Sequence, residues 1–336
     1  MHTAELTKPE RHFLPENFVV TDWKTLEPYF QDLVDRPLDS RKALEKWLLD
    51  ISELEAVISE DASWRQIRMT CDTENKQLEE AFTYFCMEIQ PPMQPYADQL
   101  NRKLVENPHT NDLDQKEYFT YLRAVKKRIE LFREENIPLQ AELSVMAQQY
   151  GAISGKMTVE VKGQEYTMQQ ASKFLESSDR SLREEVYRKM QERRLKDKEQ
   201  LDELYGKLIS LRNKVALNAG FANFRDYRFE DLGRFDYTKE DCFRFHDAVR
   251  EYVLPLVDRI HENKKKELGL DTLRPWDLEA EPAGSEPLRP FKDGKELIDK
   301  TIGCFDQLNP FFGDCLRTMQ KMGRFDLESR KGKAPG

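Results

Sequence analysis

The chain has 336 residues, of which 34% are charged and 39% hydrophobic, and its net charge is −9. That length suffices for two domains or one large core, and the apolar share is too high for a chain disordered throughout. The acidic balance argues against a nucleic-acid partner, and only 14 glycines argue against a turn-rich β-sandwich or α/β fold and for long helices with polar outer faces.

Residues 1–38 are punctuated by Pro9, Pro15, Pro28 and Pro37 and read as irregular. Asp39 or Ser40 is a plausible cap for the first predicted helix. Its apolar face is Leu44, Trp47, Leu48, Ile51, Leu54 and Ile58, recurring at steps of three and four. A second helix is predicted from about Asp72 through Phe82 and Phe85, interrupted by Pro91, Pro92 and Pro95 and resuming through Leu100 and Leu104. Together they suggest an antiparallel helical hairpin, closed by a break at Asn107 to Asn111 that is a candidate boundary. Another amphipathic helix covers 115–135, with Tyr118, Leu122, Val125, Ile129 and Phe132 on one side. Pro138 opens the next, predicted to end near Gly151.

One β signal follows. Met157, Val159 and Val161 alternate with polar residues, then come Lys162-Gly163-Gln164 and Tyr166, a hairpin with glycine at its turn. It is too small to stand alone in water and must pack on other elements. A helix of about 35–40 residues is predicted next. It starts at Ser177 to Glu184, where Ser181 and Glu184 have capping-box spacing, and stops at Gly220. Thr238 to Leu268 is predicted helical with a kink at Pro255, ended by Gly269. Leu273 to Asp277 is extended, because the residue before a proline avoids helix. Residues 279–292 read as a surface loop, and a last helix covers about Gly294 to Gly323.

The five cysteines are Cys71, Cys86, Cys242, Cys304 and Cys315, with no CxxC, which reads as reduced thiols in the cytoplasm. Met1 to Glu16 has no apolar signal core, and no uncharged apolar run approaches the roughly 20 residues of a membrane span. Cys242 and His246 are four apart, half a metal site at best; a buried thiol beside a half-exposed imidazole is the plainer account. His246, Asp247 and Glu251 read as solvated helix surface. Gly151 to Gly155 departs from a nucleophile elbow because its serine is displaced, and a plain turn is expected there. Phosphate-cradling motifs are lacking.

Three stretches carry a family likeness. They are Ser178-Asp179-Arg180-Ser181-Leu182-Arg183 with Tyr187, Asn213 to Phe221 followed by Asn223-Phe224-Arg225-Asp226-Tyr227, and Leu273-Arg274-Pro275-Trp276-Asp277. With the closing Phe325 to Gly336 they resemble the M3 family of zinc peptidases, in its oligoendopeptidase F and Pz-peptidase branch. The resemblance implies a mostly α protein: a multi-helix oligopeptidase lobe with a helical hairpin and a small β-hairpin, the amino-terminal portion of a zincin-like M3 fold. It implies cleavage of short peptides in a channel between helical lobes by one zinc ion, held by an H-E-x-x-H helix and a later glutamate. Here no H-E-x-x-H occurs. The nearest string, His261-Glu262-Asn263-Lys264-Lys265, has a lysine where the second histidine should stand. No catalytic or metal-binding residue is therefore expected in this chain. Zn2+ belongs to a full-length parent whose zinc helix lies downstream of Gly336, and the isolated chain is expected to be inactive and to associate through exposed apolar surface.

The expected organisation is a helical hairpin lobe over 1–110, helices plus the β-hairpin over 111–175, and the start of the catalytic domain over 176–336. Tyr227 and Trp276 are candidate channel-lining residues, although aromatics that lock helix ends into the core are the plainer account. The expected partners are short peptides, with neither nucleic acid nor membrane, and the oligomeric state stays open. The alternative is a catalytically inactive helical peptide-binding or scaffold protein descended from such a peptidase.

Overall fold

A computed structural model describes residues 10–335 except Ala283 and Glu286. The described helices are, in chain order, α1 (Trp23–Asp35), α2 (Arg41–Cys71), α3 (Lys76–Tyr84), α4 (Gln90–Glu106), α5 (Gln115–Leu131), α6 (Asn136–Gly155), α7 (Met168–Ser172), α8 (Arg180–Lys196), α9 (Lys198–Asn218), α10 (Phe224–Asp231), α11 (Lys239–Ala248), α12 (Leu254–Glu267), α13 (Gly294–Leu308) and α14 (Pro310–Lys321). The strands β1 (Thr158–Val161) and β2 (Gln164–Thr167) lie between α6 and α7. The fold is thus mostly α with one two-stranded antiparallel element.

The chain divides into two compact units. One comprises Glu10–Gly155 and Asp197–Arg250 with the chain end from Ala334; the other includes Lys156–Lys196 and Glu251–Lys333.

In the first unit, α1 occupies a stretch expected to be irregular. Pro28 sits inside it and removes one backbone donor. The buried Leu26, Phe30 and Leu33, at steps of four and three, give the segment an apolar face whose burial outweighs that loss. Its end is held by Lys103, whose Nζ donates to the carbonyls of Leu33, Val34 and Arg36 at 3.1, 2.6 and 2.5 Å, a cation on a helix C-terminus. Ser40 caps α2, accepting from the Ala43 amide at 3.2 Å. Leu44, Trp47, Ile51, Leu54 and Ile58 are buried there, as their spacing predicts.

The expected interruption at Pro91, Pro92 and Pro95 does not occur. The helical run passes from α3 into α4 through a π-helical turn at Phe85–Ile89. A wider turn just before the prolines relieves the clash of their rings with the preceding carbonyls. It also buries Phe85, Cys86 and Ile89. The same device recurs at Val249–Val253, directly before Pro255, where a kink was expected.

Helix α6 likewise runs past Gly151 to Gly155, so the turn expected over 151–155 is helix. At Gly151 an added Cβ would stand 3.2 Å from the Cβ of Ala334, and the Ala334 amide donates to the Thr70 carbonyl at 2.8 Å. Glycine there admits a close approach by a distant segment.

In the second unit, β1 and β2 pair with Thr158 opposite Thr167 and Val161 opposite Gln164. Lys162 (φ 52°) and Gly163 (φ 79°) both take positive φ, the two-residue turn that suits strand twist. Val159 and Val161 are buried on one face.

The long helix expected from Ser177 to Gly220 is two helices. It breaks at Asp197 (φ −100°, ψ 7°), where one unit gives way to the other. The expected Ser181–Glu184 capping box does not form. Asp179 Oδ1 accepts from the amides of Ser181 and Leu182 at 3.0 and 3.3 Å, and Glu184 pairs with Arg188 instead. The last predicted helix is also split. Asn309 (φ −163°, ψ 128°) caps α14 by accepting from the Phe311 amide, and Pro310 occupies its first position.

Helix α11, the π-helical turn and α12 bury no residue. Phe245 is 67% exposed and Ile260 63%. On α13 and α14, Leu308 is 75% exposed and Phe311 67%. Apolar side chains this open, on successive helices, are unusual for surface that faces only water.

Candidate functional site

Two of the three family-like stretches meet in the second unit. Arg180 and Arg183 lie on the first turn of α8, and Asp277 lies in the short turn Pro275–Asp277. Asp277 is fully buried. Its Oδ1 accepts from Arg180 Nε at 3.0 Å and Arg183 Nη2 at 2.8 Å; its Oδ2 accepts from Arg180 Nη2 and the Arg274 amide, both at 2.9 Å. Four donors fill the lone-pair sites of one carboxylate. Burial alone would push this carboxyl up, but the two arginines and the Arg274 amide outweigh it and hold it down at about 2. Arg183 also donates to the carbonyls of Ser177 and Trp276 at 2.7 and 3.1 Å, so one guanidinium fixes both stretches.

Trp276 therefore has a fixed backbone. Its ring is half-buried, with the Tyr187 ring 5.6 Å away and the Arg188 guanidinium 5.2 Å from its centroid. Its indole Nε1 is buried without a hydrogen-bond partner, an uncommon state for a buried donor.

The remaining stretch lies in the first unit and closes α9. Gly220 takes φ +88°, and the Phe221 amide returns to the Ala216 carbonyl at 2.9 Å. The buried Asn136 side chain donates to the Val215 carbonyl at 3.0 Å and accepts from Asn218 at 2.8 Å. Asn223 caps α10, accepting from the Asp226 amide at 3.0 Å. This places Tyr227 in a cluster with Leu131, Leu139, Val215 and Ala216, edge-on to Phe221 at 5.7 Å. Burial raises its phenol. Tyr227 also borders a cavity of about 380 Å³ whose walls include Asp98, Arg128 and Gln140. The structure thus places Tyr227 and Trp276 in different compact units, each packed against aromatic neighbours.

No group of three or more His, Cys, Asp or Glu among the described residues could hold a metal ion. His261 is exposed on α12, and Lys265 is paired with Glu262 at 2.6 Å. His246 is exposed between Phe243 and Phe245, with centroid distances of 6.5 and 6.4 Å. These residues do not fit a zinc site, and no catalytic step is assigned to them.

The sequence pattern did not single out Glu55, Asp98, Tyr121 and Arg128. They come from three helices and line two cavities that share Arg128; each reads locally as one more polar side chain on a helix, so no signal in the sequence marks them.

Two family descriptions match the chain: the peptidase M3 N-terminal domain over residues 13–132, and peptidase family M3 over residues 173–300. The chain belongs to peptidase family M3. Crystal structures share the fold of this M3 chain. One is a protein classed as oligoendopeptidase F, determined at 3.1 Å (TM-score 0.89, 23% identity, covering 96% of this chain and 57% of that one). Another is assigned as oligoendopeptidase F, from Bacillus anthracis str. Ames (TM-score 0.88, 19% identity, 96% and 59%). A third is PZ peptidase A with an inhibitor (TM-score 0.89, 22% identity, 96% and 57%). The M3 chain thus spans under two thirds of the length of these proteins. No curated protein matches it. Among its described residues, no helix is long and apolar enough to cross a membrane.

Proposed function

We propose that this chain is the amino-terminal part of a cytoplasmic, zinc-dependent oligoendopeptidase that hydrolyses peptide bonds in short peptides, and that it supplies one wall of the substrate channel. The observation that carries this reading is the order of the two M3 matches, 13–132 then 173–300, on a fold shared with solved oligopeptidases. In this reading residues 1–110 are a hairpin lobe, 111–175 connect it, and 176–336 begin the catalytic domain. Tyr227 and Trp276 face the channel from its wall. In this reading the zinc ligands lie outside this chain. The open apolar side chains of α11 to α14 are then the surface that the catalytic half covers.

Reading the source DNA through the codons after Gly336 tests this. A frame that reaches H-E-x-x-H and a later glutamate is expected. The extended protein should then bind one zinc and cleave a quenched fluorescent peptide, whereas the 336-residue chain should do neither. A stop codon there would replace this reading with the inactive peptide-binding or scaffold protein. Chelator-sensitive cleavage by the short chain would overturn the assignment of the zinc ligands.

A further inference from the structure

The first unit holds a cleft that none of the family-like stretches lines throughout. Glu55 on α2, with Tyr121 and Arg128 on α5, borders a cavity of about 210 Å³ whose remaining walls are largely apolar, among them Trp47, Leu54 and Leu100. Asn101 and Arg128 also border the 380 Å³ cavity beside Tyr227, so the two chambers share these residues. In that second chamber, Asp98 Oδ2 accepts from Arg102 Nε at 2.6 Å, while Asp98 Oδ1 is buried without a partner.

The charges lining the first chamber are not used to hold helices together. Neither the Arg128 nor the Glu55 side chain makes a hydrogen bond or ion pair with a described residue. They act on each other only through space: burial raises the Glu55 carboxyl and Arg128 opposes that rise. Burial likewise raises the Tyr121 phenol. Yet Glu55, Tyr121 and Arg128 all remain open to solvent. Glu55 and Tyr121 are thus partly desolvated at the border of the cavity while staying open to solvent. Ordinary surface charges on long side chains are fully hydrated, and a structural ion pair would be closed. An unpaired cation and carboxylate facing an apolar chamber instead match a ligand that carries both opposite charges. One arginine beside one carboxylate is ill suited to a polyanion, and the arginine disfavours a metal cation.

We propose that this cleft binds a free α-amino acid with a large apolar side chain. Arg128 takes the carboxylate, Glu55 takes the ammonium group, and the apolar chamber takes the side chain. Such binding goes beyond the peptidase reading, because it involves no bond cleavage and does not depend on the zinc half.

Calorimetric titration of the whole chain with L-leucine and L-phenylalanine tests this. Leucinamide, which lacks the carboxylate, and N-acetyl-leucine, which lacks the ammonium, serve as controls. Saturable binding of the free amino acids in the millimolar range or tighter is expected, with each blocked analogue about tenfold weaker or more. Arg128→Gln should weaken leucine but leave leucinamide unchanged; Glu55→Gln should do the same for leucine and N-acetyl-leucine respectively. If a variant fails to fold, the blocked ligands still decide the question with the unaltered chain. Absence of binding by both amino acids, or equal binding of free and blocked forms, would overturn the proposal.

Discussion

Arg183 Nη2 lies 2.8 Å from Asp277 Oδ1, and neither side chain is more than 3% exposed. This pair joins the start of α8 to a turn 94 residues later, and it has no water to fall back on if one partner is lost. Removing one member of a buried pair strands the other, at a cost of about 3–5 kcal/mol. Asp277→Ala should lose about that much stability in urea denaturation, whereas Arg180→Ala, at a side chain 43% exposed, should lose about 1 kcal/mol or less. Equal losses for the two variants would show that burial does not set the cost.

The same carboxylate sets an acid limit. Its folded value is about 2 against an ordinary 3.8, so the ionised form is favoured by folding. That stabilisation is complete above about pH 4 and is lost as pH falls through about 2. Its size is on the order of 2 kcal/mol at most, since Arg180 is partly screened by solvent. Stability measured between pH 5 and pH 2 should fall more steeply for the native chain than for Asp277→Asn. Parallel curves would mean that other carboxylates govern the acid limb.

At the hairpin turn, Lys162 holds φ 52°, a conformation that costs a lysine roughly 1 kcal/mol and an asparagine less. Lys162→Asn should therefore stabilise the chain by about 0.5 kcal/mol, and Gly163→Ala should destabilise it by about 1 kcal/mol. Paired thermal melts would show the two shifts in opposite directions. A lower melting temperature for Lys162→Asn would refute the turn argument.

Glu53 anchors the start of the described chain. Its carboxylate accepts from the amides of His12 and Leu14 at 2.8 Å and of Phe13 at 3.1 Å. Burial pushes this carboxyl up, and those three donors more than reverse the effect. Glu53→Ala should leave amides 12–14 unprotected, at a cost of about 1–3 kcal/mol. Hydrogen exchange would locate the change: faster exchange confined to residues 12–18 is expected, and unchanged protection would show that the clamp is dispensable.

The open apolar side chains of α13 and α14 should drive association of the 336-residue chain. Sedimentation velocity at rising concentration should show self-association, and Leu308→Glu with Phe311→Glu should reduce it. A monomeric, cooperatively melting chain over the whole concentration range would contradict both this prediction and the expectation that this surface needs a cover.

The sequence alone determined what depends on near neighbours. The apolar face of α2 follows from steps of three and four, and the hairpin follows from alternation around Lys162-Gly163. The stops at Gly220 and Gly269 follow from the left-handed backbone that glycine accepts. The family likeness was legible too, because the order of three stretches survives without knowing where they pack. Tertiary structure decided what depends on distant partners. Pro28 stays in a helix because Leu26, Phe30 and Leu33 have a core to enter. The prolines of α4 are carried by a π-helical turn, and Gly151 sits in a helix where Ala334 comes close. Asp277 is a carboxylate at about 2 because two arginines from 94 and 97 positions away surround it, and Glu55 and Arg128 come to one cavity because α2 and α5 both border it. Periodicity and turn chemistry act over a few residues and can be read along the chain; burial, ion pairing and cavities arise between segments far apart in sequence and exist only once the chain has folded.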